Sequence, residues 1–535
     1  MNKKQYQLLL VFPILIALAI VVGVFLGRFL SGSDYATIIY QGKNKPTNKL
    51  NEIFLYIEDS YVDSIEAKEL EEKSIQLLLQ DLDPHSYYIP PEDFGEMNEP
   101  LEGNFDGIGV EFRIVEDTVV VISVISGGPS EKVGLMSGDR IIRVDSFDIA
   151  GIEINNSEVI KKLKGPRGTE VDVYVYRKNS PKELKFKITR GSIPINSIDA
   201  SYMLSKKVGY VKISRFAKNT HEEFMVAVNK LLDKKMESII IDLRGNGGGV
   251  LNAAADIVDE FLKSGKLIVY TEGRSRSKSS YYASGSGILE STNVAVLIDE
   301  NSASASEILA GAIQDNDRGL VLGRRSFGKG LVQEQLVFPD GSAVRLTVAR
   351  YYTPTGRCIQ KSYEEGKSSY RQEAYDRFAR GEHLSADSIK FIDSLKFYTP
   401  KGRVVYGGGG IMPDIFVPLD TSGRSDYLSK LLYGGVFDQF AFDFIDKNKA
   451  RFKKYKNVDE FSDEFYLSSE IIKDFVSFAE SKSVPKDEKG LAFSMSIIKS
   501  RIKADMARHL YGSEGFYLVM NKNDKVIERA LKELK

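Results

Sequence analysis

The sequence predicts an α/β protein with a β-rich module ahead of its central part and a helical extension behind it. Three observations carry this. Between Ile195 and about Leu419, apolar strand-like runs (Val208–Ile213, Ser238–Leu243, Leu267–Thr271, Val294–Ile298, Gly319–Leu322) alternate with amphipathic stretches (Thr220–Leu232, Leu251–Leu262, Ser306–Gln314), the pattern of a mainly buried sheet flanked by helices. Between about Asn104 and Arg190, short alternating strands (Thr118–Val124, Arg140–Val144, Glu170–Arg177, Leu184–Thr189) are separated by glycine turns, with a helix expected over Ser157–Leu163. From residue 425 the chain turns rich in Lys, Glu, Phe and Ile at helical spacing, as in Phe437, Phe440, Ala441, Phe444 and Ile445.

Taken in order, Gln7–Gly27 is uncharged and apolar and follows Lys3 and Lys4. About 20 helical residues span a bilayer core, so this run predicts a transmembrane helix with a cytoplasmic N-terminus. The expectation is a single-pass inner-membrane protein with the membrane as a partner and its body in the periplasm. A cleaved signal peptide, with Ser31-Gly32-Ser33 as the small residues, is the rival reading. Leu50–Leu82 carries two helices, closed by the proline turn Asp83-Pro84-His85-Ser86, where His85 fixes the turn rather than serving as a base. The expected boundaries are 1–30 for the anchor or signal, 31–103 for linker and helices, 104–191 for the β-rich module, 192–424 for the α/β core and 425–535 for the helical region. Segment 361–395 is charged, has no strong pattern and reads as an insertion. The glycine run Gly407–Gly410 leads into Met412-Pro413 with no Lys-Ser/Thr after it, so it predicts no phosphate site.

The 535 residues carry a net charge of −1 with both signs well mixed, which points away from a nucleic-acid surface. The one cysteine, Cys358, excludes an internal disulfide and reads as a structural bystander. No His/Cys/Asp cluster has ligand spacing, so neither a metal nor an organic cofactor is expected.

The chemistry concentrates in Asn301-Ser302-Ala303-Ser304-Ala305-Ser306-Glu307, at the end of an apolar strand, and in Gly328-Lys329-Gly330-Leu331-Val332-Gln333. A serine hydroxyl needs a neighbouring base to become a nucleophile. None of the four histidines lies in this region, and Lys329, enclosed by glycines, can be neutral enough for the task if it is buried. On chemistry alone Ser302, Ser304 and Ser306 all remain open. A strand runs into a second glycine turn at Asp242-Leu243-Arg244-Gly245-Asn246-Gly247-Gly248-Gly249, where Asp242 and Arg244 are expected to fix the turn by ion pairing.

The order of Gly107-Ile108-Gly109-Val110, Asp-Leu-Arg-x-Asn-x-Gly-Gly, Ser-Ala-Ser-Ala-Ser-Glu and Gly-Lys-Gly-x-x-Gln resembles the carboxyl-terminal processing (tail-specific) protease family over roughly residues 45–420. The resemblance implies a crotonase/Clp-protease-like spiral core with an inserted PDZ domain. It selects Ser304 as nucleophile, Lys329 as base and Gln333, one helical turn beyond, as the group that orients the lysine. The amides of Ala305 and Gly248 become the oxyanion donors, with Gly247 as the alternative, and Glu307 takes a supporting role. In the PDZ, Gly107, Ile108, Gly109 and Val110 would hold the carboxylate of an unstructured C-terminal tail. The implied activity is a serine endopeptidase that cuts near captured tails, and a homodimer is admitted. The alternative is a catalytically silent PDZ adaptor that only binds tails at the cell envelope.

Overall fold

Asn48 opens helix α1 (Lys49–Ser60) by accepting from the Asn51 amide, and α2 (Ala67–Gln80) follows it. The computed structural model describes residues 18, 20–22, 48–178, 180 and 182–535, in two compact units, one up to Lys73 and one from Ser74 onward. Among the described residues no helix is long and apolar enough to cross a membrane. This corrects the transmembrane helix expected over Gln7–Gly27. Only Leu18, Ile20, Val21 and Val22 of that run are described, and the rest lies outside the described residues. The physical reason is that the long described helices carry charged residues along their length, as Glu488–Asn521 does, rather than running uncharged for about 20 residues. The membrane as a partner and the single-pass inner-membrane location fall with it.

In the second unit, β1 (Tyr87–Ile89) and α3 (Pro91–Glu102) come first, and Gly103 ends α3 in the left-handed conformation, at φ 75°. β2 (Asn104–Gly107) then enters a sheet of β3 (Val110–Val115), β4 (Thr118–Val124), β5 (Arg140–Val144), β6 (Phe147–Asp148), β7 (Glu170–Tyr176) and β8 (Leu184–Thr189). Its order is β3-β4-β5-β7-β8, antiparallel throughout, with β6 beside β5 and β3 at one edge. Helix α4 (Asn156–Leu163) starts with a capping box between Asn155 and Glu158 and sinks Val159 and Leu163 into the apolar cluster of this sheet. The chain leaves through β9 (Gly191–Pro194), which pairs with β2, so one short ribbon carries the chain into the module and out of it.

The core follows with β10 (Ile198–Met203), β11 (Val208–Ile213), α5 (Thr220–Asp233), β12 (Ser238–Asp242), α6 (Leu251–Asp259), β13 (Leu267–Gly273), β14 (Arg276–Tyr282), β15 (Asn293–Ile298), α7 (Ala305–Asp315), β16 (Leu320–Gly323), β17 (Leu331–Val337), β18 (Ala343–Tyr352) and α8 (Gly366–Ala379). A hairpin of β19 (Lys396–Tyr398) and β20 (Val404–Tyr406) and the short β21 (Ile415–Phe416) close it. One sheet runs β10-β11-β12-β15-β16-β21 and is parallel from β11 onward. Every residue of β11 and β12 is buried, which is why these strands read as continuous apolar runs rather than alternating ones. The other sheet is antiparallel, β1-β18-β13-β14, with β17 also on β18.

The helical region contains α9 (Asp426–Tyr433), α10 (Val436–Lys447), α11 (Ser469–Ser481), α12 (Glu488–Asn521) and α13 (Lys525–Glu533). Phe437, Phe440, Phe461, Phe465 and Phe475 build its own core. The helix α12 bends at Gly512, whose φ of 75° and ψ of −169° are open only to glycine. Beyond the bend the chain returns to the parallel sheet. Val526, Ile527 and Ala530 of α13 share an apolar cluster with Tyr210, Ile240, Ala295 and Leu297, and Asp524 pairs with Arg244 at 2.8 Å. This last helix therefore seals one face of the parallel sheet. Ile527→Ala is expected to cost about 2–5 kcal/mol, the range for emptying a buried aliphatic site, and chemical denaturation should show a lower midpoint.

Candidate active site

The strand β15 ends in a tight turn whose serines have different fates. Ser302 is fully buried and donates to the Leu243 carbonyl at 2.9 Å, and the fully buried Ser306 donates to the Asn246 carbonyl at 2.9 Å. Both hydroxyls tie the turn to the neighbouring glycine turn. The Ser304 hydroxyl donates to no main-chain carbonyl among the described residues; it faces the Glu307 amide in the capping box that opens α7, and Ser304 is only partly buried. Its backbone sits at φ 55° and ψ −115°, directly before α7. Such a conformation is costly for a non-glycine residue and is found where a side chain must be held out of a sharp strand-to-helix turn.

Glu307 organises the surroundings. It is completely buried in the first turn of α7. One carboxylate oxygen accepts from the amides of Ser304 and Lys329, each at 2.9 Å. The other accepts from the Gly328 amide at 2.8 Å and from the Ser326 hydroxyl. The main chains of Ser304 and Lys329 therefore meet at a single oxygen, although 25 residues separate them in sequence. Burial pushes the Glu307 carboxyl up to about 7, against the pull of these four donors.

Lys329 stands between glycines because there is no room for side chains beside it. A Cβ on Gly330 would come within 2.9 Å of the Gln360 amide, and Gly328 adopts φ 91°. The Lys329 amine donates to Gln333 Oε1 at 3.0 Å, and among the described residues no carboxylate forms an ion pair with it. Burial lowers its pKa below the ordinary lysine value, and the charge of Arg345 lowers it further. Gln333 lies on β17, not one turn along a helix. The ladder between β17 and β18 slips between Val332 and Gln333, a bulge that re-aims the side chain. Its amide nitrogen donates to the His85 carbonyl at 2.5 Å.

That last contact escaped the sequence. The turn at Asp83 is built by the Asp83 carboxylate, which accepts from the His85 and Ser86 amides at 2.7 and 2.9 Å. The His85 ring bonds Tyr370 of α8 at 2.9 Å, and burial, aided by the Lys329 charge, lowers its pKa to about 4. The ring is thus neutral near pH 7 and already engaged. The Asp-Pro-His-Ser turn was visible in the sequence, but its main-chain oxygen as a partner for Gln333 was not.

The glycine turn after β12 lies against the serine turn. A Cβ on Gly248 would stand 2.7 Å from Ser304 Cβ and 2.9 Å from the Ala305 amide nitrogen. Among the described residues nothing accepts from the Ala305 amide, whereas the Gly248 amide donates to Asn246 Oδ1 at 2.8 Å. The turn itself is pinned by Asp242. Burial works against this carboxylate, yet Arg244 at 2.6 Å and Lys212 at 3.5 Å hold its pKa well below the usual range.

In the β-rich module, Gly107 ends β2 and Val110 begins β3. The Ile108 and Gly109 amides between them have no acceptor among the described residues, though both residues are buried. Gly109 adopts φ 77°, so the two amides form a concave turn beside the open edge of β3.

Three stretches of the chain match known protein families. Residues 207–365 fit the model of peptidase family S41, residues 107–188 that of the PDZ domain, and residues 427–512 a family of unknown function (DUF8443). The carboxy-terminal processing protease CtpB of Bacillus subtilis (strain 168) is 32% identical over 336 residues, covering 62% of this chain and 69% of that protein. The carboxy-terminal-processing protease of Bartonella bacilliformis is 34% identical over 347 residues, covering 64% of this chain and 79% of its own. The chain belongs to the carboxy-terminal processing proteases. It is a protease of this general class and carries a PDZ domain. Among solved structures, a photosystem II D1 C-terminal processing protease is similar at 29% identity and a TM-score of 0.33, covering 58% of this chain and 90% of that one.

Glu307→Gln tests the organiser of this site. An amide in place of the carboxylate turns an N–H toward main-chain N–H groups and loosens both loops. The expected outcome in the full-length protease is a kcat lower by about 10²-fold, the cost of a misplacement near 1 Å, with KM little changed and the fold retained by circular dichroism.

Proposed function

We propose that this protease is a serine endopeptidase in which Ser304 attacks a peptide carbonyl and Lys329 is the general base. The observation that carries this reading is the different fate of the three serines. Two hydroxyls are spent on main-chain carbonyls, while that of Ser304 keeps its proton uncommitted to any carbonyl, on a strained turn beside the loop of the lysine. Neutral Lys329 takes the Ser304 proton as the hydroxyl adds to the carbonyl, and the resulting ammonium returns it to the leaving amine. Gln333 orients the lysine, receiving its amine on one side and holding the His85 carbonyl on the other. This is the third-group role in triads.

The oxyanion of the tetrahedral intermediate is assigned to the Ala305 amide at the start of α7, with the glycine turn supplying the second donor. Gly248 supplies it once its amide leaves Asn246. The exposed Gly247 amide, free of any acceptor among the described residues, is the alternative.

The PDZ captures the substrate. An extended tail adds as a strand to the free edge of β3, and its terminal carboxylate enters the Ile108–Gly109 amides. Cleavage then falls near the captured C-terminus. A tail-binding adaptor without chemistry would have no use for a buried, unpaired lysine aimed by a glutamine.

Two measurements test this. Cleavage of an unfolded protein with an apolar C-terminus is expected for the parent, not for Ser304→Ala or Lys329→Ala, and more weakly when the tail is amidated. Tail binding with no cleavage by the parent would turn the reading toward the adaptor. The second is pH dependence. Because the Lys329 pKa is lowered and the neutral amine is the active form, kcat/KM should rise with pH to a midpoint below 10.5, the ordinary lysine value. A rate that falls over that range would contradict a lysine base.

A further inference from the structure

The helical region that matches a family of unknown function touches the PDZ through charge. Arg113 lies on β3, with Asp438 of α10 as its ion-pair partner. Asp438 also receives the ring of His509 of α12 at 2.9 Å. Asp443 and Asp505 face the same guanidinium, and Glu111 and Arg508 complete the charged surroundings of His509. At a second point, the turn at Gly138 approaches the amine of Lys449, just past α10.

Among the described residues this contact is built from charged groups. The buried cluster of the PDZ and that of the helical region share no residue. Val110, Phe112 and Ile114 of β3 pack inward on the PDZ cluster, and Arg113, between two of them, projects from the opposite face of the sheet. One guanidinium nitrogen of Arg113 is buried with no hydrogen-bond partner, so the seat is incomplete. Small polar interfaces between domains of one chain leave relative motion as the default.

The other end of the helical region is firmly set on the core. Beyond the bend at Gly512, Asn521 donates to the Tyr202 hydroxyl at 2.8 Å, Asp524 pairs with Arg244, and α13 fills the face of the parallel sheet. The PDZ joins the core covalently through the β2–β9 ribbon and meets α3 through the Lys164–Glu99 pair at 2.5 Å. One helical arm, bent at Gly512, thus grows from the parallel sheet and reaches β3.

We propose that the helical region is a dock for the PDZ of its own chain, with Arg113 on Asp438 as a charge latch that holds the module at one fixed distance from the arm. Screening or removing that charge frees the module to move about its two-stranded ribbon. The latch lies on β3 but on the face opposite the apolar cluster, so a tail can enter the free edge while the module is docked. The role of the region is to position the captured tail, and it does not depend on which serine is the nucleophile.

The test is the distance between spin labels on exposed positions of the two parts. Ser157→Cys on α4 and Lys473→Cys on α11 serve in the full-length protein, with the native thiol removed by Cys358→Ala. Double electron–electron resonance should give one narrow distance at low salt. Arg113→Ala, Asp438→Asn, or about 1 M salt, where the screening length is about 3 Å, should broaden it toward longer distances. Arg113→Lys should keep it narrow. A distribution already broad in the parent at low salt, or one that none of these changes broadens, would overturn the proposal. Should either variant fail to fold, the salt series on the parent decides.

Discussion

The site depends on one buried carboxylate. Glu307 is inaccessible to water and receives four donors, three of them main-chain amides on two different loops. An isolated buried carboxylate is costly, and hydrogen bonds from fixed amides are what make it tolerable. The same bonds give the carboxylate its use. It pulls the main chain of Ser304 and that of Lys329 onto one oxygen, so each of these two side chains starts from a fixed point. The strained backbone of Ser304 persists because the surrounding structure over-determines it. Ser302 and Ser306 bind the glycine turn on one side, Glu307 binds the lysine loop on the other, and α7 is buried along its whole length behind them.

Around this point the molecule is layered by function. The parallel sheet brings the ends of β12 and β15 together, which puts the glycine turn beside the serine turn. The antiparallel sheet brings β17, and so Gln333, against the turn before β1. The helix α8 closes over the lysine side, with Arg377 donating to the carbonyls of Arg325 and Ser326 at 2.8 and 2.9 Å and Tyr370 on His85. The PDZ is attached lightly, by a ribbon and ion pairs, whereas the helical arm is seated on the parallel sheet through an apolar cluster.

Much of this was legible in the residues. Strands such as Thr118–Val124, Arg140–Val144 and Val208–Ile213 form over the expected ranges, since period-two alternation and continuous apolar runs each report a strand's burial. The serine and lysine segments were visible because small residues and paired glycines are rare enough to stand out. What stayed hidden is long-range. The His85 carbonyl meets Gln333 across 248 residues, and no local pattern encodes a main-chain acceptor. The hairpin of β17 and β18 went unread, because its strands are amphipathic and interrupted by charges. Helix α8 lies in a segment with no apolar stripe, held by individual polar contacts instead. The uncharged run near the N-terminus reports how such a segment would partition into lipid as one helix, and the described structure contains no helix of that kind.

The central claim is that Ser304, held by Glu307, is the atom donor to the substrate carbonyl. Acid-quenched single-turnover reactions with a peptide ester, followed by peptide mapping in a mass spectrometer, test it most directly. The account predicts a covalent acyl group on Ser304, with a smaller amplitude in Glu307→Gln. An acyl group on Ser302 or Ser306, or turnover persisting in Ser304→Ala, would contradict it.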